Sequence, residues 1–142
     1  DLFARWEKTI GKMGFTATTN GPMTLHLARA SALENAGICL HRIYGFVYLP
    51  GTGLKGLARA FAETVWLASK PEEEKATAWG QIEKVFGWAP GSDMIDGEPK
   101  KWKPADARAH GEKDSANVGQ IIFHDAWPEA WPQLVVDILN NH

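Results

Sequence analysis

Cysteine is nearly absent. Cys39 stands alone in the chain, which rules out an internal disulfide and any zinc site built on several thiolates. A reducing, cytoplasmic home is the simplest inference. Long apolar runs are missing too: nothing is long enough to span a bilayer, and no signal-peptide pattern opens the sequence. Excess positive charge is also lacking. Fifteen Lys and Arg against seventeen Asp and Glu leave a net charge of −2, whereas free-standing nucleic-acid binders are usually basic. That balance argues against strong independent binding of nucleic acid, yet it leaves room for a local basic patch or for a subunit that meets its ligand inside an assembly. Core material is not scarce. Hydrophobic residues make up 44% and tryptophans number seven, enough for one domain spanning residues 1–142.

The stretch from Tyr44 to Phe61 organises the rest. An aromatic and β-branched run, Tyr44 to Leu49, reads as a strand. Pro50-Gly51-Thr52-Gly53 reads as a turn. An amphipathic helix is expected from about Leu54, with Leu54, Leu57, Ala58, Phe61 and Val65 at helical spacing. Lys55, Arg59 and Glu63 fall one turn apart on another face. Lys55 opposes the helix dipole and repels Arg59, and only Glu63 offsets the pair locally. A glycine-rich turn, first-turn amides and two cations suit an anion, most often a phosphate.

Three readings compete. The first is a tight strand-to-helix turn with solvated basic side chains. The second is a dinucleotide site, because Gly51, Gly53 and Gly56 spell G-x-G-x-x-G after a strand. That fingerprint needs an acidic residue on a second parallel strand about twenty positions on; here the position falls at Glu72 to Glu74, which open another helix. A P-loop fails because Lys55 precedes Gly56 rather than Ser or Thr.

The third reading is a resemblance. Tyr48 to Arg59 resembles the Pro-Gly-Ser-Ser-Leu-Lys-Gly-x-x-Arg segment of the RAMP superfamily, the repeat-associated proteins of CRISPR effector complexes. Ser31 to Gly37, Gly119 to Pro128 and Val136 to His142 resemble, in this order, stretches of the RAMP subunit numbered six of the Cmr (type III-B) complex. Val47 stands where the family usually has proline, Thr52-Gly53 replaces the commoner pair of serines, and Asn141 replaces a proline. Family members continue past the position of His142, and Asp1 is not methionine, so a truncated chain is expected.

Elsewhere the signals are weaker. Leu2, Phe3 and Trp6 suit one amphipathic turn or two, and Thr24 to Leu27 alternates like a half-buried strand, with Arg29 after it. Asn35 to Gly37 marks a turn, and Ile38 to Leu49 reads as extended with a bend or bulge at Gly45. Cys39 and His41 share a strand face, without a third residue at ligand spacing to make a metal site. Pro71 with Glu72, Glu73 and Glu74 opens a helix whose Trp79, Ile82 and Phe86 line one face and whose end is marked by Lys84 and Gly87. Residues 88–117 turn polar and Gly/Pro-rich, so a long flexible insertion is expected. Within it Lys100, Lys101, Trp102 and Lys103 suit either single-stranded RNA or a solvated loop. Val118 to Phe123 reads as a buried strand, and Leu134 to Leu139 as a second, antiparallel to it.

The order of elements reads as α+β, most of a ferredoxin-like (RRM-like) unit incomplete at its C-terminus; the resemblance implies the same RAMP fold. It also implies a non-catalytic RNA-binding subunit of a type III-B effector in antiviral defence. Its partners would be guide RNA, target RNA and other RAMP subunits, with no membrane, metal or cofactor. Gly51, Gly53, Lys55, Gly56 and Arg59 match the family motif and are assigned to RNA, with Arg29, His41 and Arg42 as further contacts. The alternatives are a RAMP-type endoribonuclease recruiting His26, His41 or Asp125, a nucleotide-binding Gly51–Gly56 loop, and a purely architectural subunit.

Overall fold

The computed structural model describes residues 2–11, 14–21, 39–110 and 114–133. The expected strands at Thr24 to Leu27 and Leu134 to Leu139, and the residues Arg29, His26 and Asn141, lie outside them. The fold comprises two compact units, Asp1–Pro50 with Asp125–His142 and Gly51–His124.

In the first unit, α1 (Leu2–Ile10) follows from the spacing of Leu2, Phe3 and Trp6 and ends at Gly11, whose φ of +61° is a conformation glycine adopts without penalty. The Trp6 ring stacks on Trp127 with centroids 5.6 Å apart. The expected extended run to Leu49 instead folds back on itself. The His41 amide donates to the Phe46 carbonyl (2.8 Å), the Gly45 amide to the His41 carbonyl (2.8 Å) and the Tyr48 amide to the Cys39 carbonyl (3.1 Å). Leu40 faces Val47 in an antiparallel bridge. Gly45, at φ +71°, makes the reversal where a bend was expected. Leu49 then exchanges both backbone hydrogen bonds with Ala126, each 2.9 Å.

The second unit carries α2 (Gly51–Phe61), a π-helical turn (Ala62–Trp66) and α3 (Glu72–Phe86). It also holds two antiparallel strand pairs: β1 (Gly87–Trp88) with β4 (Asn117–Val118), and β2 (Met94–Ile95) with β3 (Glu98–Pro99). The described chain is thus α+β, with helices and small antiparallel sheets. Pro71 caps α3 with ψ 149°, three glutamates complement its N-terminus, and Gly87 at φ +86° ends it. Trp79 (1% exposed) and Ile82 (2%) point into the core with Leu67, Ala78 and Ala107, and Ala62, Trp66 and Phe86 pack around them. Each large side chain buried this way contributes about 1.5–3 kcal/mol.

Three expectations change here. The anticipated apolar face of α2 is divided: Leu57, Phe61 and Val65 are more than half exposed, while Leu54 and Ala58 are half-buried. The π-helical turn shifts the phase of the helix, so Glu63 and Leu67 face inward where the regular period would place Val65. Val118 to Phe123 is not a buried strand. Only Asn117–Val118 pairs with β1, and the chain then runs along the end of α3, the Gln120 and Ile121 amides donating to the Lys84 and Val85 carbonyls (3.1 and 3.4 Å). Gly119 permits this close approach, since a Cβ there would sit 2.4 Å from the Val85 carbonyl oxygen. Val118 and Ile122 are left exposed, and Phe123 stacks on Phe86. Finally, residues 88–110 carry a β-hairpin and buried ion pairs in place of a structureless insertion.

Candidate nucleic-acid interface

Helix α2 begins at Gly51, so the glycine-rich segment expected as a loop forms its first turn. Pro50 supplies a fixed φ ahead of that turn. Gly51 is buried, and a Cβ there would lie 2.1 Å from the Phe123 carbonyl oxygen. Its glycine is therefore required by packing against the backbone of Phe123 and His124. Gly56 is different: it is exposed, and a Cβ would meet nothing within 4 Å. Thr52 and Gly53 lie in the first turn, where amides have no intrahelical acceptor. Lys55 lies half-buried at the start of the second turn, with no carboxylate partner among the described residues. The first two turns of α2 thus present first-turn amides, the Lys55 cation and the open backbone at Gly56, and the first turn carries no acidic residue.

Arg59 is engaged inward. Its Nε donates to Glu63 Oε1 at 2.7 Å and its Nη1 to the Gly87 carbonyl at 3.0 Å, while Nη2 is buried without a hydrogen-bond partner. The guanidinium ties the end of α2 to the C-terminal cap of α3. Glu63 (2% exposed) also accepts from Lys100 Nζ (2.6 Å) and Trp102 Nε1 (3.1 Å). Burial alone would raise the Glu63 carboxyl, but the hydrogen bonds from Lys100, Arg59 and Trp102 outweigh it and hold the group below its ordinary value. Asp93 is built alike: burial pushes it up, the Lys103 ammonium and a backbone amide pull it down further, and the net shift is downward. The Lys100–Lys103 cluster, considered for RNA from the sequence, therefore spends Lys100 and Lys103 on buried carboxylates, and Trp102 donates to one of them. Lys101 stays exposed.

A second buried glutamate, Glu83 (7% exposed), accepts from Trp79 Nε1 at 2.8 Å and meets His110 Nε2 at 3.0 Å. His110 stacks on Trp88 with centroids 3.9 Å apart. Twenty-seven residues separate Glu83 from His110, and no periodicity signals that pairing.

In the first unit, His41 Nδ1 accepts from the Ile43 and Tyr44 amides (3.3 and 3.4 Å), so this nitrogen shapes the hairpin tip. Arg42 is exposed beside it. The His41 ring lies among Tyr44, Phe46, Tyr48 and Trp127 with centroids 4.8–6.1 Å away. Sequence reasoning missed this cluster, although the alternation Tyr44, Phe46, Tyr48 was there to be read. Among the described residues no three His, Cys, Asp or Glu side chains gather as a metal-binding group, and Cys39 is free.

These features sit on a chain whose residues 13–140 match the family model of the RAMP superfamily. The chain belongs to the RAMP superfamily. It is thereby a RAMP protein, of the kind found in CRISPR systems, and the matched span includes both the α2 turn and the aromatic hairpin of this RAMP protein. No curated protein and no solved structure matches it. Among the described residues no helix is long and apolar enough to cross a membrane.

Proposed function

We propose that this RAMP protein is a non-catalytic RNA-binding subunit of a type III-B (Cmr) CRISPR effector, holding guide RNA or the guide–target duplex beside other RAMP subunits in the cytoplasm. The observation that carries this reading is Lys55: a half-buried cation in the second turn of α2, without a carboxylate partner among the described residues and next to the open backbone at Gly56. A half-buried ammonium without a counter-charge is unfavourable alone and favourable when an anion joins it, and the first-turn amides of the same helix add donors for that anion. Phosphate fits that role, with the Gly53 and Gly56 backbone allowing close approach. Arg42, on the hairpin of the first unit, is in this reading a separate phosphate contact. Arg59, assigned to phosphate from the motif, acts in this reading by fixing α2 through Glu63 and Gly87, and His41 by shaping the tip that carries Arg42. Arg29 is kept as a further contact proposed from the sequence. A phosphate contact positions RNA without reading its bases, and the net charge of −2 makes assembly with other subunits the setting for tight binding.

The test is co-expression with neighbouring RAMP subunits and analysis of what co-purifies. RNA of guide length, released by Lys55→Ala, is the expected result. Recovery of an RNA-free complex, with mononucleotide or dinucleotide raising the melting temperature of the isolated chain, overturns it in favour of a nucleotide site.

A further inference from the structure

The hairpin of the first unit carries an aromatic surface that its own packing does not use up. His41, Tyr44 and Phe46 stack on one another: His41 lies 5.0 Å from Tyr44 and 4.8 Å from Phe46, and the Tyr44 and Phe46 planes are within 5°. The ring of Trp127 meets His41 and Phe46 edge-on. Tyr44 nevertheless remains 49% exposed and Ile43 79% exposed at the tip, with Arg42 exposed beside them. The turn is held by the His41 carbonyl, which accepts the Gly45 amide, and by His41 Nδ1, which accepts the Ile43 and Tyr44 amides. An acceptor role for Nδ1 places the imidazole proton on Nε2. The Tyr44 ring is thus held in place before any ligand arrives, which lowers the ordering cost of binding.

From Asn35 to Ala62 the sequence contains no acidic residue, although the chain as a whole is net negative. A fixed, half-exposed aromatic ring beside an exposed guanidinium matches one ligand chemistry well, a nucleobase with its phosphate. The base stacks on the ring and the phosphate meets the cation.

We propose that the tip Arg42–Ile43–Tyr44 is a stacking platform for one unpaired RNA base, with Tyr44 taking the base and Arg42 the adjoining phosphate. The inference rests on the RNA-binding reading above and adds to it a site in the other unit of the chain. His41 and Phe46 act as positioning residues that hold the Tyr44 ring.

The experiment uses the full chain at low salt and a short single-stranded RNA carrying one 5-iodouridine. Affinity is measured for the wild type, Tyr44→Phe, Tyr44→Leu and Arg42→Ala, and the photo-crosslinked peptide is identified by mass spectrometry. Tyr44→Phe is expected to bind like the wild type. Tyr44→Leu, apolar but without a π-face, is expected to bind about 5- to 150-fold more weakly with its salt slope unchanged. Arg42→Ala is expected to lower the slope of log affinity against log salt by about 0.7. The crosslink is expected within His41–Phe46. If the wild type binds RNA with a salt slope but Tyr44→Leu binds equally well and the crosslink falls elsewhere, the platform is wrong while the RNA-binding reading stands. If Tyr44→Leu keeps RNA and loses a partner subunit, the tip is a protein contact and the proposal fails. If the wild type shows no RNA binding alone or in complex, both readings fall.

Discussion

Arg59 and Glu63 lie one helical turn apart at the junction of α2 and its π-helical turn, and the Arg59 Nε donates to Glu63 Oε1 at 2.7 Å. The pair is part of a larger knot. Lys100 reaches the same carboxylate from the far side of the unit at 2.6 Å, Trp102 adds a third donor, and Arg59 also binds the carbonyl that follows α3. One carboxylate thus joins α2, α3 and the segment after β3.

Removing that carboxylate should loosen all three. Glu63→Gln leaves two part-buried cations facing a neutral amide, and loss of one partner of a buried pair costs up to about 3–5 kcal/mol. Thermal unfolding should show a fall in Tm of many degrees for Glu63→Gln and a smaller fall for Glu72→Gln, whose own carboxylate is exposed where it pairs with Lys75. Equal stability of the two variants would rule out the knot.

Acid should act on the same groups. Glu63 and Asp93 have folded pKa values below their ordinary ones. Their contribution is therefore fully present above the unfolded carboxylate pKa of about 4 and is lost as pH falls through the folded values. Tm should decline more steeply below about pH 5 for the wild type than for Glu63→Gln or Asp93→Asn. Parallel curves would show that these carboxylates do not set the acid limb.

Two glycines of the motif should behave oppositely. Gly51→Ala drives a Cβ into the Phe123 carbonyl, 2.1 Å away, and should destabilise by about 1–3 kcal/mol. Gly56→Ala places a methyl in open space within a helix and should stabilise the isolated chain by up to about 1 kcal/mol. If phosphate approaches the Gly56 backbone, the same substitution should weaken RNA binding despite the gain in stability. Chemical denaturation of both variants, followed by binding on the Gly56→Ala complex, separates the two effects.

The helices were legible because their signals are local. The triad Trp79, Ile82 and Phe86, the glutamates after Pro71 and the stop at Gly87 are read within a few turns of one another, and each stands where the sequence placed it. The pairing of Arg59 with Glu63 follows from their spacing. What escaped depends on distant partners. Lys100 and Lys103 look like a solvated basic cluster until Glu63 and Asp93 are placed beside them. Gly45 carries a full reversal because the aromatics on either side stack across it, which alternation alone does not reveal. That Glu63 and Leu67 face inward in place of Val65 follows from the phase shift of a π-helical turn, for which the sequence has no simple mark. The glycines of the motif invited a ligand explanation, and for Gly51 the close backbone of Phe123 is the physical reason.

The proposed function stands or falls with Lys55 as the holder of a backbone phosphate. RNA affinity across a salt series, for the reconstituted complex carrying wild type or Lys55→Ala, tests it. The slope of log affinity against log salt is expected to fall by about 0.7, since one neutralised phosphate of single-stranded RNA is lost. The loss is expected to be similar for RNAs of unrelated sequence while the complex still assembles. An assembled Lys55→Ala complex with unchanged affinity and unchanged slope would refute the assignment.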